Sequence, residues 1–242
     1  MLAWSLEAAF DAAWPALKTA PFGDWLCKSA PGVSRRSNSA NPTGAHARLT
    51  TRSVEAIEAA YAKWGRPTFV RLPSLLGDEP DRLLEARGYP DEGLSLTLIG
   101  PLAAGARGDV ELSSLPSPEW LAALNRINGR ADERARVFDE VLGRIDAPAA
   151  YAGVRREGQI VAGAYAAVFD GWLCLEAVAT DPAWRGRGLA GEAALALMAW
   201  GAAQGARAAG LQVQADNAAG LKLYRRLGID HELYRYHYRR AP

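Results

Sequence analysis

The C-terminal half of the chain contains three consecutive apolar, β-prone segments separated by two-residue turns. The turns are Glu157-Gly158 and Asp170-Gly171, and an acidic residue followed by glycine suits the left-handed backbone of a tight hairpin. We therefore predict an antiparallel meander. Its strands are AAYAGVRR, QIVAGAYAAVF and WLCLEAVAT, over 149–156, 159–169 and 172–180.

Helical patterns lie on both sides of this meander. Proline near its start and glycine at its end mark PEWLAALNRING as a helix, and alanine, leucine and methionine favour a helix over 188–204. Asn217 is a typical N-cap of a helix that ends at Gly228. This mixture of elements predicts an α+β fold. The other predicted elements are a helix over 133–142 and the strands AAGLQVQA and ELYRYHYRR.

The N-terminal half repeats this order at a constant offset of 140 residues. Gly65 and Gly88 lie 140 positions before Gly205 and Gly228. Chance matches of glycine are common, but the constant offset with a matching element order favours an internal duplication. The matching elements are strands SRRSNSA, PTFVRL and GLSLTLIG, and helices SVEAIEAAYAKWG and EPDRLLEARG.

A change of composition separates the two halves. The stretch GPLAAGARGDVELSSLPSP is rich in Gly, Pro, Ser and Ala and predicts a linker with one short strand at 109–112. We place an N-terminal domain at 1–100, the linker at 101–118 and a C-terminal domain at 119–242.

The bulk composition narrows the classes of function. A formal net charge of +1 gives no global field that would attract nucleic acid. Two cysteines and three histidines match no metal-site spacing, so no metal is expected. The first residues do not resemble a signal peptide, and no apolar run is long enough to span a membrane. A cytoplasmic protein with reduced thiols is the expectation.

The stretch DPAWRGRGLAGE, at 181–192, lies between the third meander strand and the helix that follows. A glycine turn that leads into a helix N-terminus presents free backbone N–H groups to an anion. Arg185 and Arg187 add charge-assisted hydrogen bonds. The spacing matches neither a Walker loop nor a dinucleotide-binding fingerprint. A pyrophosphate such as that of coenzyme A fits, and a surface turn that only caps the helix is the alternative.

Two motifs in this half resemble the GCN5-related N-acetyltransferases (GNAT). VATDPAWRGRGLA meets the family's R/Q-x-x-G-x-G/A signature, and DNAAGLKLYRRLGI meets a second family segment, with Ile229 in place of the usual aromatic residue. The resemblance is strong over about 150–240 and holds only in outline over 1–100. It implies two GNAT-like halves, each a mixed, mostly antiparallel sheet flanked by helices, the C-terminal half complete and the N-terminal half reduced.

The resemblance also implies an acetyl-CoA-dependent N-acetyltransferase with a small-molecule or peptide amine as acceptor. Nucleic acid and membrane are not expected as partners, and monomer and homodimer stay open. Tyr224 would donate a proton to the departing thiolate, although a tyrosine packed in the core is the alternative. The residues implied to contact acetyl-CoA are Ala177, Val178, Ala179, Thr180, Arg185, Gly186, Arg187, Gly188, Leu189, Ala190, Asn217 and Tyr224.

Glu176 is the candidate general base, since it lies on the strand leading to the loop. Strand alternation places Val178 and Thr180 on the same face as Glu176. A solvated carboxylate or an arginine partner is the alternative. The corresponding position on the following strand is Gln212, which cannot act as a base. Asn217 would cap its helix and orient the cofactor, and the cap alone would explain it.

The N-terminal half lacks these groups. Ala45 and Arg48 stand 140 positions before Arg185 and Gly188, Leu84 stands before Tyr224, and Arg36 stands before Glu176. We therefore predict one cofactor site per chain, in the C-terminal half. Two other hypotheses about the function stay open: a non-catalytic acyl-CoA-binding or regulatory module, and an acyltransferase that uses another acyl-CoA.

Overall fold

The computed structural model describes residues 2–103 and 109–242, which form one eleven-stranded sheet and seven α-helices. The α+β class predicted from the sequence is confirmed. The strands are β1 Lys18–Phe22, β2 Trp25–Ser29, β3 Ala40–Pro42, β4 Phe69–Pro73, β5 Asp91–Gly100, β6 Val110–Ser113, β7 Ala149–Arg156, β8 Gln159–Phe169, β9 Trp172–Thr180, β10 Ala208–Gln214 and β11 His231–Arg240. The helices are α1 Leu2–Ala13, α2 Thr51–Lys63, α3 Glu79–Ala86, α4 Pro118–Ile127, α5 Asp132–Leu142, α6 Leu189–Ala203 and α7 Ala218–Arg226.

The predicted meander is present as β7, β8 and β9, which pair antiparallel in chain order. Its two turns work as their sequences predict. Glu157 and Asp170 have φ near +50°, and the glycines that follow them have φ of 79° and 76°. Two successive left-handed residues match the twist of the flanking strands, which favours a hairpin turn of this kind.

The two halves exchange a strand at the centre of the sheet. The strand order is β1-β2-β3-β4-β11-β5-β10-β9-β8-β7-β6, so β11 lies between β4 and β5, and β5 lies between β11 and β10. β5 and β11 are 140 residues apart in the chain, so they are equivalent strands of the two halves. The four central strands, β4-β11-β5-β10, are therefore arranged symmetrically about the boundary between β11 and β5. This symmetry agrees with the offset found in the sequence. The duplication itself stays a prediction.

The strand exchange means that the halves share one sheet. The short strand expected at 109–112 is present as β6, which pairs with β7. Part of the predicted linker, 104–108, lies outside the described residues, as does Met1. The domain boundaries therefore stay predictions.

One predicted strand is wrong. SRRSNSA was expected to be extended, but Arg36–Asn38 form a 3₁₀ turn, and β3 begins only at Ala40. The Asn38 side chain holds this turn, because its amide donates to the carbonyl oxygens of Ala30 and Ser34 at 2.6 and 2.7 Å. Local side-chain hydrogen bonds of this type compete with strand pairing.

Two helical layers cover the faces of the C-terminal strands. Helix α6 packs through its apolar residues on one face of β7, β8 and β9. Helices α1 and α4 cover the other face. Helix α1 belongs to the N-terminal half, and its Leu6 and Phe10 are buried there. The predicted catalytic strand, β9, is therefore held from both sides and by both halves of the chain.

Candidate active site

The glycine-arginine loop forms a tight turn before α6. Asp181 opens the turn by accepting a hydrogen bond from the Ala183 N–H at 3.1 Å, and it is ion-paired with Arg126. Gly186 and Gly188 have φ of 78° and 82°, and a Cβ at either would meet no atom within 4 Å. These positions require glycine for its left-handed backbone, since L-residues with a Cβ are strained there.

The loop leaves backbone donors free at the start of α6. Within the described chain, the N–H groups of residues 186–191 donate to no protein acceptor, and Gly188 gives the helix no side-chain cap. The Arg187 guanidinium lies over the Trp184 ring at 4.5 Å from its centre, while Arg185 Nε donates to the Thr180 carbonyl at 3.3 Å. Free N–H groups at a helix N-terminus together with two guanidinium groups form a site that favours an anion.

Strands β9 and β10 separate as they approach this loop. They pair in parallel only from Trp172 with Ala208 to Cys174 with Gly210. Beyond that point β10 pairs only with β5, on its far side. The backbone of 175–180 therefore presents a free strand edge toward β10, and an extended ligand can pair with such an edge as an added strand would.

A β-bulge lies in this free segment. Ala177 has φ of 52°, and one extra residue is inserted in β9, because Tyr165 pairs with Glu176 whereas Gly163 pairs with Ala179. A bulge of this kind re-aims the side chains that flank it.

The bulge corrects one prediction about the strand faces. Simple alternation placed Glu176 with Val178 and Thr180, but the cross-strand pairs place it on the face of Ala179. Val178 packs instead with the core beneath α6, whereas Ala177 and Ala179 pack on the opposite face. Glu176 therefore faces the N-terminal half of the chain.

Glu176 meets a partner from the N-terminal half. The Arg36 guanidinium donates to Glu176 Oε1 at 2.7 Å and to Gln212 Oε1 at 2.6 Å. Tyr236 also donates to Gln212, at 3.2 Å. The side chains of the ion pair are 10% and 11% exposed, whereas Glu176 Oε2 has no protein hydrogen-bond partner in the part of the chain that the structure describes. One oxygen is thus held in place, and the other is free for a ligand.

The ion pair of Arg36 with Glu176 shifts the pKa values of both side chains. Burial raises the pKa of Glu176 above the ordinary carboxyl value, and the Arg36 guanidinium opposes that rise. Burial alone would lower the pKa of Arg36, but the nearby Glu176 carboxylate raises it overall. The result is a carboxylate that binds a proton more readily than an exposed one does, a useful property in a general base.

Tyr224 is buried in α7. Burial, and then the nearby Glu176 charge, raise the pKa of Tyr224 to about 12. Its hydroxyl has no hydrogen-bond partner among residues 2–103 and 109–242. Tyr224 therefore stays protonated at neutral pH, with its donor uncommitted to the protein.

Asn217 caps α7 as predicted, since its side chain accepts from the Gly220 N–H at 2.9 Å. A contact of Asn217 with a cofactor stays a prediction.

A cavity of about 670 Å³ lies between the halves, next to Glu176 and Ala177. A volume of this size falls in the range of small-molecule sites. No local pattern predicted the residues of its walls, although the repeat aligns Arg36 with Glu176 at the offset of 140 residues. The other residues that line the cavity include Trp14, Tyr61, Phe69, Tyr236, Tyr238, Arg35, Arg36 and Arg66.

The described residues contain neither a candidate metal site nor a candidate membrane-spanning helix. Residues 2–103 and 109–242 hold no group of three or more His, Cys, Asp or Glu side chains that could bind a metal ion. None of the helices in these same ranges combines the length and apolar character needed to cross a membrane.

The sequence matches a family model described as "Probable histone acetyltransferase Rv0428c C-terminal" over residues 4–238. A curated relative is the "Uncharacterized N-acetyltransferase YobR" of Bacillus subtilis, which is 24% identical over 97% of this chain and 96% of its own.

The fold is similar to several solved structures. A GCN5-related N-acetyltransferase from Kribbella flavida superposes with a TM-score of 0.70 at 20% identity, covering 100% of this chain and 94% of that one. A tandem GNAT protein from the clavulanic acid biosynthesis pathway superposes with a TM-score of 0.64 at 15% identity, covering 84% and 75%. At these identities the similarity establishes the fold.

Proposed function

The chain belongs to the GNAT superfamily, in the family described as "Probable histone acetyltransferase Rv0428c C-terminal", and we propose that it moves an acetyl group from acetyl-CoA to a primary amine by direct attack. One observation carries the proposal. The free edge of β9 runs from the glycine-arginine loop to Glu176, which lines a cavity between the halves.

The residues that would hold acetyl-CoA fit its chemistry. The free N–H groups from Gly186 to Ala190, with Arg185 and Arg187, suit a pyrophosphate. The backbone of Ala177–Thr180 suits an extended amide-bearing arm such as pantetheine. Acetyl-CoA supplies the activated acetyl group. An N–H freed at the Ala177 bulge could polarise the thioester carbonyl.

Glu176 is the proposed general base. Arg36 fixes its Oε1, so Oε2 can accept a proton from the incoming ammonium, directly or through one water. The cavity beside Glu176 would receive the amine, which places the acceptor between the two halves. The N-terminal half then contributes Arg36 and much of the cavity wall.

Tyr224 is the proposed donor to the departing sulfur. A phenol with a pKa of about 12 is a weaker acid than a thiol, whose pKa is ~8.5. Tyr224 would therefore contribute mainly a hydrogen bond to the developing thiolate, and its proton would follow as the thiol is released.

The contrast between α2 and α6 supports a single cofactor site. In the N-terminal half, a capping box at the start of α2 uses the N–H groups of Thr50 and Ser53. The helix α6 has no such cap. Leu84 stands where Tyr224 stands in the other half. The N-terminal half therefore lacks the phenol, and side chains already use part of the anion-binding capacity at the start of its helix.

A non-catalytic acyl-CoA-binding module is the rival proposal. Thiol release from acetyl-CoA, measured against a panel of primary amines and lysine peptides, separates the two. We expect amine-dependent release, and we expect Glu176→Gln to lower kcat by about 10²- to 10⁴-fold while coenzyme A still binds. Binding of coenzyme A without release by any amine would favour the rival. An equal rate with longer acyl-CoAs would favour a broader acyltransferase.

A further inference from the structure

The cavity beside Glu176 carries an uncompensated positive charge. Three arginines line it, and two of them are paired. Arg36 is neutralised by Glu176 at 2.7 Å, and Arg35 is ion-paired with Glu92 at 3.3 Å. Arg66 is exposed, and within the described ranges no carboxylate lies within ion-pair distance of it.

The paired arginine Arg35 is also fixed in place. Its guanidinium carbon lies 5.5 Å from the centre of the Phe69 ring and 5.2 Å from that of Tyr238. Among residues 2–103 and 109–242 no aromatic ring lies under the Arg66 guanidinium, and its exposure places it at the solvent side of the cavity. The cavity is thus lined by a buried carboxylate, that of Glu176, and by the exposed guanidinium of Arg66.

Aromatic side chains form a large part of the cavity wall, beside polar ones such as Ser95 and Gln214. Trp14, Tyr61, Tyr236 and Tyr238 are all buried and line the cavity. The hydroxyls of Tyr61 and Tyr236 already donate, to the Lys28 carbonyl and to Gln212. These side chains therefore offer ring faces, which suit an apolar or aromatic body.

We propose that the acceptor is a small amphoteric amine: an amino group at Glu176, an apolar or aromatic body along the rings, and a carboxylate or phosphate at Arg66. This inference rests on the proposed acetyl transfer. A basic lysine peptide fits less well, because its other positive charges would meet Arg66 and find no free carboxylate among the residues that line the cavity.

The test uses a matched pair of probes that differ only in charge. These are 4-(2-aminoethyl)benzoate and its neutral primary amide, with a basic lysine peptide as a third arm. Binding to the full-length protein with coenzyme A present is measured by calorimetry, and thiol release from acetyl-CoA is measured separately. The variants are Arg66→Gln and, as a matched control, Arg82→Gln, an exposed arginine of α3 outside the cavity.

We expect the carboxylate to bind about tenfold more tightly than the amide, as one charge-assisted hydrogen bond allows. Arg66→Gln should abolish that preference, and Arg82→Gln should keep it. The proposal would be overturned by equal binding of the carboxylate and the amide, or by no binding of either. It would also be overturned by a preference that survives in Arg66→Gln, or by tighter binding of the peptide. Carboxylate-selective binding without thiol release would sink the acetyl-transfer proposal alone.

Discussion

Replacing Arg36 with methionine tests how the two halves cooperate. Arg36 donates to Glu176 at 2.7 Å, and both side chains are about nine-tenths buried. An opposite charge this close lowers a carboxyl pKa by about 1–3 units, and each unit corresponds to about 1.4 kcal/mol. Arg36→Met removes that effect and leaves burial, which raises the pKa of Glu176. The pKa of Glu176 should therefore rise further above the ordinary carboxyl value.

The assay is the pH profile of kcat/KM for amine-dependent thiol release. A general base must be deprotonated, so activity rises through its pKa, and Arg36→Met should move this acid limb to higher pH. Arg36→Lys keeps the positive charge, so the acid limb of its pH profile should lie nearer to that of the wild type. Arg71→Met breaks another buried pair, with Glu7, and controls for lost stability. An acid limb that stays in place in Arg36→Met would refute this role of Arg36.

Three other variants test separate parts of the structure. Tyr224→Phe should lower kcat about 10²-fold, and full turnover at every pH would exclude Tyr224 as the donor. Gly188→Ala, at φ of 82°, should cost about 1–2 kcal/mol in backbone strain and weaken coenzyme A binding in calorimetry; unchanged affinity would contradict the loop assignment. Glu7→Gln strands the buried Arg71 guanidinium and should lower the free energy of unfolding in urea by about 3–5 kcal/mol, and a loss below 1 kcal/mol would contradict this.

The Glu7 pair also gives stability a defined pH dependence. Burial acts to raise the pKa of Glu7, but Arg71 and Tyr234 lower it overall. Because the folded-state pKa is depressed, the stabilisation is complete above the unfolded pKa of ~4.3 and is lost as pH falls through the folded value. Glu7→Gln should therefore show a shallower loss of stability below pH ~4 in urea titrations.

Local patterns were sufficient to predict much of the C-terminal half. The hairpin turns at Glu157 and Asp170, the cap at Asn217 and the glycine loop before α6 all depend on residues adjacent in the chain. Strand exchange between β5 and β11 depends on pairing across the whole chain, and no local pattern specifies it.

Two misassignments share a physical cause. The bulge at Ala177 places an alanine in a left-handed conformation. The sequence does not predict this, because residues other than glycine rarely adopt a positive φ. The 3₁₀ turn at Arg36–Asn38 depends on hydrogen bonds from Asn38 and on a guanidinium drawn toward Glu176 in the other half. In both places a local departure from regular strand geometry breaks the alternation of side chains.

The most direct test of the central claim is the stoichiometry of coenzyme A binding, measured by calorimetry on the full chain. We predict one site per chain, with affinity lost in Arg185→Ala and kept in Arg48→Ala, a variant in the corresponding segment of the N-terminal half. Two equivalent sites per chain, or loss of binding in Arg48→Ala rather than in Arg185→Ala, would contradict it.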